Sequence, residues 1–153
     1  MTSATSVDQL YQATILDHDR APRNHGSLAA ATHHATVDNP LCGDEVTIHA
    51  RIVDGVVSEI AFDGRGCALS RAAASIMTTM VRGAAPHDIR RLAASFDQFV
   101  HGAPDAPIPD DLGELRAFAG VRRFRSRRLC ALLPFRALDQ ALDEARHCDA
   151  PAR

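Results

Sequence analysis

The sequence contains no lysine; all 17 basic residues are arginines. That absence excludes a catalytic lysine, a Schiff base and the lysine of a phosphate-binding P-loop. Aromatic residues are sparse, at 5%. Long apolar runs are missing too, because charged residues interrupt every hydrophobic segment well before the roughly 18 residues that a membrane-spanning helix needs. Met1 to Tyr11 has neither a basic patch nor an apolar stretch, so neither a secretory signal nor a transit peptide is expected, and the protein is expected in the cytoplasm. No CxxC occurs, which removes the zinc ribbon and the thioredoxin-type redox pair. A formal charge of -2 gives no electrostatic case for nucleic acid or an anionic membrane as partner. No internal repeat and no dividing linker is found.

What is present describes one ordinary domain. A chain of 153 residues with 46% hydrophobic content can bury enough surface to hold a core without disulfides or a structural metal. The four cysteines, Cys42, Cys67, Cys130 and Cys148, are in a reducing compartment better read as free thiols or metal ligands than as disulfides.

Periodicity outlines the elements. Val7, Leu10, Tyr11, Thr14 and Ile15 recur at helical spacing from Ser6, a candidate N-cap, to Arg20, and Pro22-Arg23-Asn24-His25-Gly26 is turn material. Residues 45 to 52 alternate strictly, with Val46, Ile48, Ala50 and Ile52 on one face. Asp54-Gly55 joins them to a second β-rich run, Val56 to Asp63, as a hairpin. A weaker strand pattern covers Thr32 to Asp38. After Gly64-Arg65-Gly66 the period becomes 3.6, with Leu69, Ala72, Ala73, Ile76, Met77, Met80 and Val81 forming one stripe. A short helix from Pro86 to about Val100 and an exposed loop with Pro104, Pro107 and Pro109 follow. The last helical block begins near Leu112 and breaks around Gly120. It resumes after Cys130, because Pro134 fits only a first turn.

Cys42, Asp44, Cys67 and Cys130 each fall at a break between elements, where sites are built. Three thiols and a carboxylate form a four-ligand set of the kind zinc accepts tetrahedrally, and a helix N-terminus favours the thiolate that metal binding requires. Free cysteines are otherwise often small buried hydrophobes, and Cys148, in a polar tail, is read as incidental. His18 and His33-His34 are read as solvated or capping residues. Gly64-Arg65-Gly66-Cys67-Ala68-Leu69 lacks the third glycine of a dinucleotide fingerprint and follows a hairpin strand, so cofactor binding there is rejected. The cluster Arg122-Arg123-Arg125-Arg127-Arg128 is read as a solvated face or a site for an acidic protein partner, since only Phe124 interleaves it.

The residues themselves carry a resemblance. Leu10-Tyr11-Gln12, Ile15-Leu16-Asp17-His18, Pro22 to Gly26, Asn39-Pro40-Leu41-Cys42-Gly43-Asp44, Gly64 to Ser70 and Arg127 to Cys130 together resemble the NifU N-terminal family of iron-sulfur cluster assembly proteins, from about Leu10 to Ala145. The family has an IscU-type branch of scaffolds that build a [2Fe-2S] cluster and a SufU-type branch that holds zinc and relays sulfur. Leu129 stands where scaffolds carry a histidine before the last cysteine, and their Leu-Pro-Pro-Val-Lys segment is absent. The stretch from Cys67 to Cys130 is longer than in scaffolds. That insertion, and Arg127 three residues before the last cysteine, resemble SufU. Asp19, where an aromatic is common, and Arg71, where a small residue is common, depart from the family pattern.

The resemblance implies an α+β fold, a small antiparallel three-stranded sheet with helices packed on one face. It implies a single domain over 1–153, with a core at about 6–147, an insertion at about 100–116 and a tail at 148–153. It further implies that Cys42, Asp44, Cys67 and Cys130 bind Zn2+, and that the chain accepts persulfide sulfur from a SufS-like cysteine desulfurase for downstream iron-sulfur scaffold or acceptor proteins. On docking, a desulfurase side chain would take one metal position and release Cys42 as nucleophile. Arg127 would orient the site or contact the partner, beside a structural role against the last helix. The alternative is a scaffold holding a [2Fe-2S] cluster on the same ligands.

Overall fold

The computed structural model describes residues 3–41 and 43–149, and the side chains of 8–41 and 43–143. In chain order the elements are α1 (Ser3–Arg20), β1 (His33–Asn39), β2 (Asp44–Val53), β3 (Val56–Arg65), α2 (Ala68–Val81), α3 (Pro86–His101), a 3-10 segment (Asp110–Arg123) and α4 (Arg125–Asp149). The strands make one antiparallel sheet in the order β1-β2-β3, so the architecture is the expected α+β one. Among the described residues no helix is long and apolar enough to cross a membrane.

The period-two pattern of β2 decides which sheet face meets the helices. Val46, Ile48 and Ala50 are buried and join Ile60 and Phe62 of β3 against Ala73, Ile76 and Met77 of α2 and Leu132, Phe135 and Leu138 of α4. The opposite face carries polar cross-strand pairs: Thr36 with Thr47 at 2.7 Å, His49 with Asp63 at 3.0 Å and Arg51 with Glu59 at 3.3 Å. Helices therefore cover one face and water the other. The hairpin turns at Asp54 and Gly55, whose φ values of 54° and 80° are those of a type I′ turn.

Several expectations from the sequence are corrected. Helix α1 starts at Ser3, which places Ser6 inside the helix rather than at its cap. His18 is neither solvated nor capping. It is 2% exposed, with Nδ1 2.7 Å from Ser75 Oγ and Nε2 3.1 Å from Glu114 Oε1. It thus ties α1 to α2 and to the 3-10 segment. Nearby, the Arg23 guanidinium donates to Asp17 at 2.7 Å, and this hydrogen bond and charge hold the Asp17 carboxyl below its ordinary value.

Helix α4 begins at Arg125, not near Cys130, and carries Pro134 in its interior. An interior proline costs about 3 kcal/mol through its missing N–H and ring clash. The same turns bury Leu132, Leu133, Phe135 and Leu138, each worth about 1.5–3 kcal/mol, and that burial wins. The helix also runs on to Asp149, so Cys148 sits in its last turn rather than in a separate tail; its side chain lies outside the described ones. Nor is the arginine cluster uniformly solvated. Arg122 is 5% exposed, lies 5.0 Å from the Phe99 ring centroid and donates to Ala106 O and Ala119 O.

The 3-10 segment contributes core. Leu112, Leu115 and Phe118 are fully buried. Phe96 of α3 meets Phe118 at 5.8 Å and Phe135 at 5.3 Å between ring centroids. Phe96→Ala should therefore cost about 3–5 kcal/mol in urea denaturation, whereas a loss under about 1 kcal/mol would mean that the 3-10 segment is not part of the cooperative core.

Candidate metal centre

Three elements end at one place. Asp44 opens β2, Cys67 is the N-cap of α2, and Cys130 lies in the second turn of α4. Their ligand atoms, a carboxylate oxygen and two sulfurs, all lie within 4.8 Å of one another. Asp44 and Cys130 are buried and Cys67 is exposed, so the cluster has a protected side and an open side.

Local sequence explains the convergence. Gly64 has φ 128°, and a Cβ there would run into the backbone carbonyl of Glu45. Only glycine lets β3 press this closely on the first residues of β2. A Cβ on Gly66 would strike Ser70 Oγ. Gly64-Arg65-Gly66 thus serves close packing around Asp44. Ser70, fully buried, donates to Cys67 O at 3.2 Å, and its Oγ lies 3.9 Å from Cys67 Sγ.

Asp44 carries the electrostatic argument. Its Oδ1 accepts the Cys67 backbone N–H at 3.2 Å, while its Oδ2 is buried and has no hydrogen-bond partner among the described residues. Leaving such an acceptor unsatisfied costs about 1–3 kcal/mol, more when it is charged. A cation beside two thiolates would satisfy it. One oxygen and two sulfurs suit zinc, and cysteine ligation equally suits an iron-sulfur cluster.

Cys42 lies outside the described residues, but both of its neighbours are held by one side chain and its backbone. Buried Asn39 accepts the Leu41 N–H on Oδ1 at 3.1 Å and the Gly43 N–H on its carbonyl at 2.8 Å. Leu41 is 79% exposed, and Gly43 adopts φ 77°. Arg127 is exposed and lies one helical turn before Cys130, hence on the same side of α4.

Sequence reasoning missed the supporting residues. Asn39 before a proline is an Asx-turn signal, and a serine three residues past Cys67 can bond back to its carbonyl, so both were within reach. The pairing of Asp19 with Arg71 was not. These two departures from the family pattern meet each other, Arg71 Nε to Asp19 Oδ1 at 3.1 Å, joining α1 to the first turn of α2 beside Cys67.

Known proteins similar to this chain identify its family. The family pattern described as "NifU-like N terminal domain" matches residues 10–131. The chain therefore belongs to the NifU-like N-terminal domain family of iron-sulfur cluster assembly proteins. It is 33% identical over 138 residues, 90% of this chain and 86% of the relative, to the iron-sulfur cluster assembly scaffold protein IscU of Streptococcus pyogenes. It is 32% identical over 143 residues, 93% and 95% of the two chains, to the zinc-dependent sulfurtransferase SufU of Bacillus subtilis. The crystal structure of a nitrogen-fixing NifU-like protein (N-terminal) from Brucella abortus superposes with TM-score 0.81 at 28% identity, covering 92% of this chain and 97% of that one.

Bound zinc should raise the melting temperature of the wild-type chain, by mass action on the folded state. In Asp44→Ala the rise should shrink, since one ligand and the unpartnered oxygen are removed together. An unchanged zinc-induced shift in thermal melts of that variant would remove Asp44 from the ligand set.

Proposed function

We propose that this chain is a SufU-type, zinc-dependent sulfurtransferase that accepts persulfide sulfur from a pyridoxal-phosphate cysteine desulfurase in the cytoplasm and passes it toward iron-sulfur scaffold or acceptor proteins. It acts as one domain over 1–153, with Cys42, Asp44, Cys67 and Cys130 as zinc ligands. The observation that carries the reading is the Asp44 carboxylate with one buried unpartnered oxygen grouped with two thiols. Leu129 in place of the scaffold histidine, and an insertion that fills the core, favour the sulfur-relay branch.

Zinc, when bound, keeps the thiols deprotonated and in place. Cys42 is the receiving nucleophile in this reading, flanked by an exposed leucine and a glycine of positive φ. Its thiolate attacks the outer sulfur of the desulfurase persulfide. A new S–S bond forms to Cys42, the desulfurase S–S bond breaks, and the desulfurase cysteine leaves as a thiolate, so the exchange needs no net oxidant. Asp44 supports this mobility, because a carboxylate is held less firmly by a borderline-soft metal than a thiolate is. Arg127, exposed on the side of α4 that carries Cys130, orients the site or contacts the donor.

The second reading is a scaffold for a [2Fe-2S] cluster on the same residues, favoured by the identity to a scaffold relative. A desulfurase assay separates the roles. Cys42→Ala should retain part of its metal and lose all stimulation of sulfide release. Full stimulation by Cys42→Ala would take the nucleophile's role from Cys42, and a visible absorbance band after anaerobic reconstitution, with cluster transfer to an apo-ferredoxin, would favour the scaffold.

A further inference from the structure

Between Glu114 and Asp139 the chain carries seven arginines and no acidic residue, although its net charge is -2. The fold divides these arginines by task. Arg116 donates through Nε to Gly113 O at 2.9 Å. Arg122 is the buried clamp described above, and Arg128 donates through Nη2 to Arg122 O at 2.6 Å. Arg123, Arg125 and Arg127 are instead exposed. Among the described residues no carboxylate pairs with any of the three, and the first turn of α4 contains no acidic side chain.

Phe124 stands among them, 59% exposed, in extended backbone between the 3-10 segment and α4, with its N–H on Val121 O at 3.0 Å. The helix N-terminus adds its own partial positive charge in the same place. Arg122 and Arg128 thus fix the junction from within, while Arg123, Phe124, Arg125 and Arg127 form an outward rim with unanswered positive charge and one apolar anchor. This rim sits on the end of α4 whose second turn supplies Cys130, so a molecule docked on the rim lies beside the thiols.

We infer that this rim is the docking surface for an acidic segment of the sulfur-donor protein, with an apolar side chain of that segment seated on Phe124. The inference rests on the sulfur-relay reading for the donor's identity. Charge complementarity of this kind speeds encounter and fixes register. A carboxylate-rich segment fits better than a nucleic acid strand, because a single aromatic offers no stacking platform and the chain as a whole is net acidic.

The test is titration of the full chain with a cysteine desulfurase at about 0.05 M and about 0.5 M salt, where screening lengths differ about threefold. Wild type should bind more weakly at high salt. Arg123→Glu/Arg125→Glu should weaken binding by roughly tenfold or more at low salt and lose most of the salt dependence. Arg123→Lys/Arg125→Lys should stay close to wild type, and zinc content should be the same in all three. Should the charge-reversed pair fail to fold, the neutral pair Arg123→Gln/Arg125→Gln, together with the salt dependence of wild type, decides the matter.

Binding and sulfur transfer that ignore both salt and charge reversal would overturn the docking surface and leave the sulfur-relay reading standing. Charge-dependent binding without sulfur transfer would overturn that reading and leave the surface standing. Micromolar binding of a single-stranded RNA oligonucleotide that is lost on charge reversal would replace the protein partner with nucleic acid.

Discussion

The structure depends on one buried carboxylate. Asp44 begins the central strand, spends one oxygen on the backbone N–H that opens α2, and keeps the other buried without a partner among the described residues. The first contact locks the β3–α2 junction against the sheet and holds Cys67 in place. The second makes the junction costly until a cation arrives beside the two thiols. Strand, helix cap and candidate metal site are therefore one arrangement rather than three.

Around that point the fold is fastened by long-range polar contacts. His18 spans α1, Ser75 and Glu114 from a buried position. Asn39 holds the loop on both sides of Cys42, and Arg122 pins the end of the 3-10 segment to α3 through the Phe99 ring. These contacts tie distant segments together while Leu41, Cys67 and the arginine rim stay exposed. A buried cluster with an exposed edge is the arrangement the proposed metal site and its partner would need.

Much of this was legible in the sequence. The alternation in β2, the Asp54-Gly55 turn and the apolar stripe of α2 are strong local signals, and all three elements formed where the pattern put them. The placing of Asp44 and Cys67 at element ends was also readable, because a change of period marks an element end, whereas Cys130, expected at a helix start, lies inside α4. The rest was hidden because it is tertiary. Pro134 predicts a helix start until the burial on both sides of it is known. His18 and Arg122 look like surface residues until partners far along the chain are in place. The Asp19–Arg71 pair shows how two local oddities become one interaction once α1 lies against α2.

The claim on which the functional account turns is that this site holds zinc rather than a cluster. Elemental analysis of the chain purified without added metal, reporting zinc, iron and acid-labile sulfide per chain, tests it directly. The account predicts close to one zinc per chain with neither iron nor sulfide. Iron with matching sulfide would contradict it and make the protein a cluster scaffold despite Leu129 and the folded insertion.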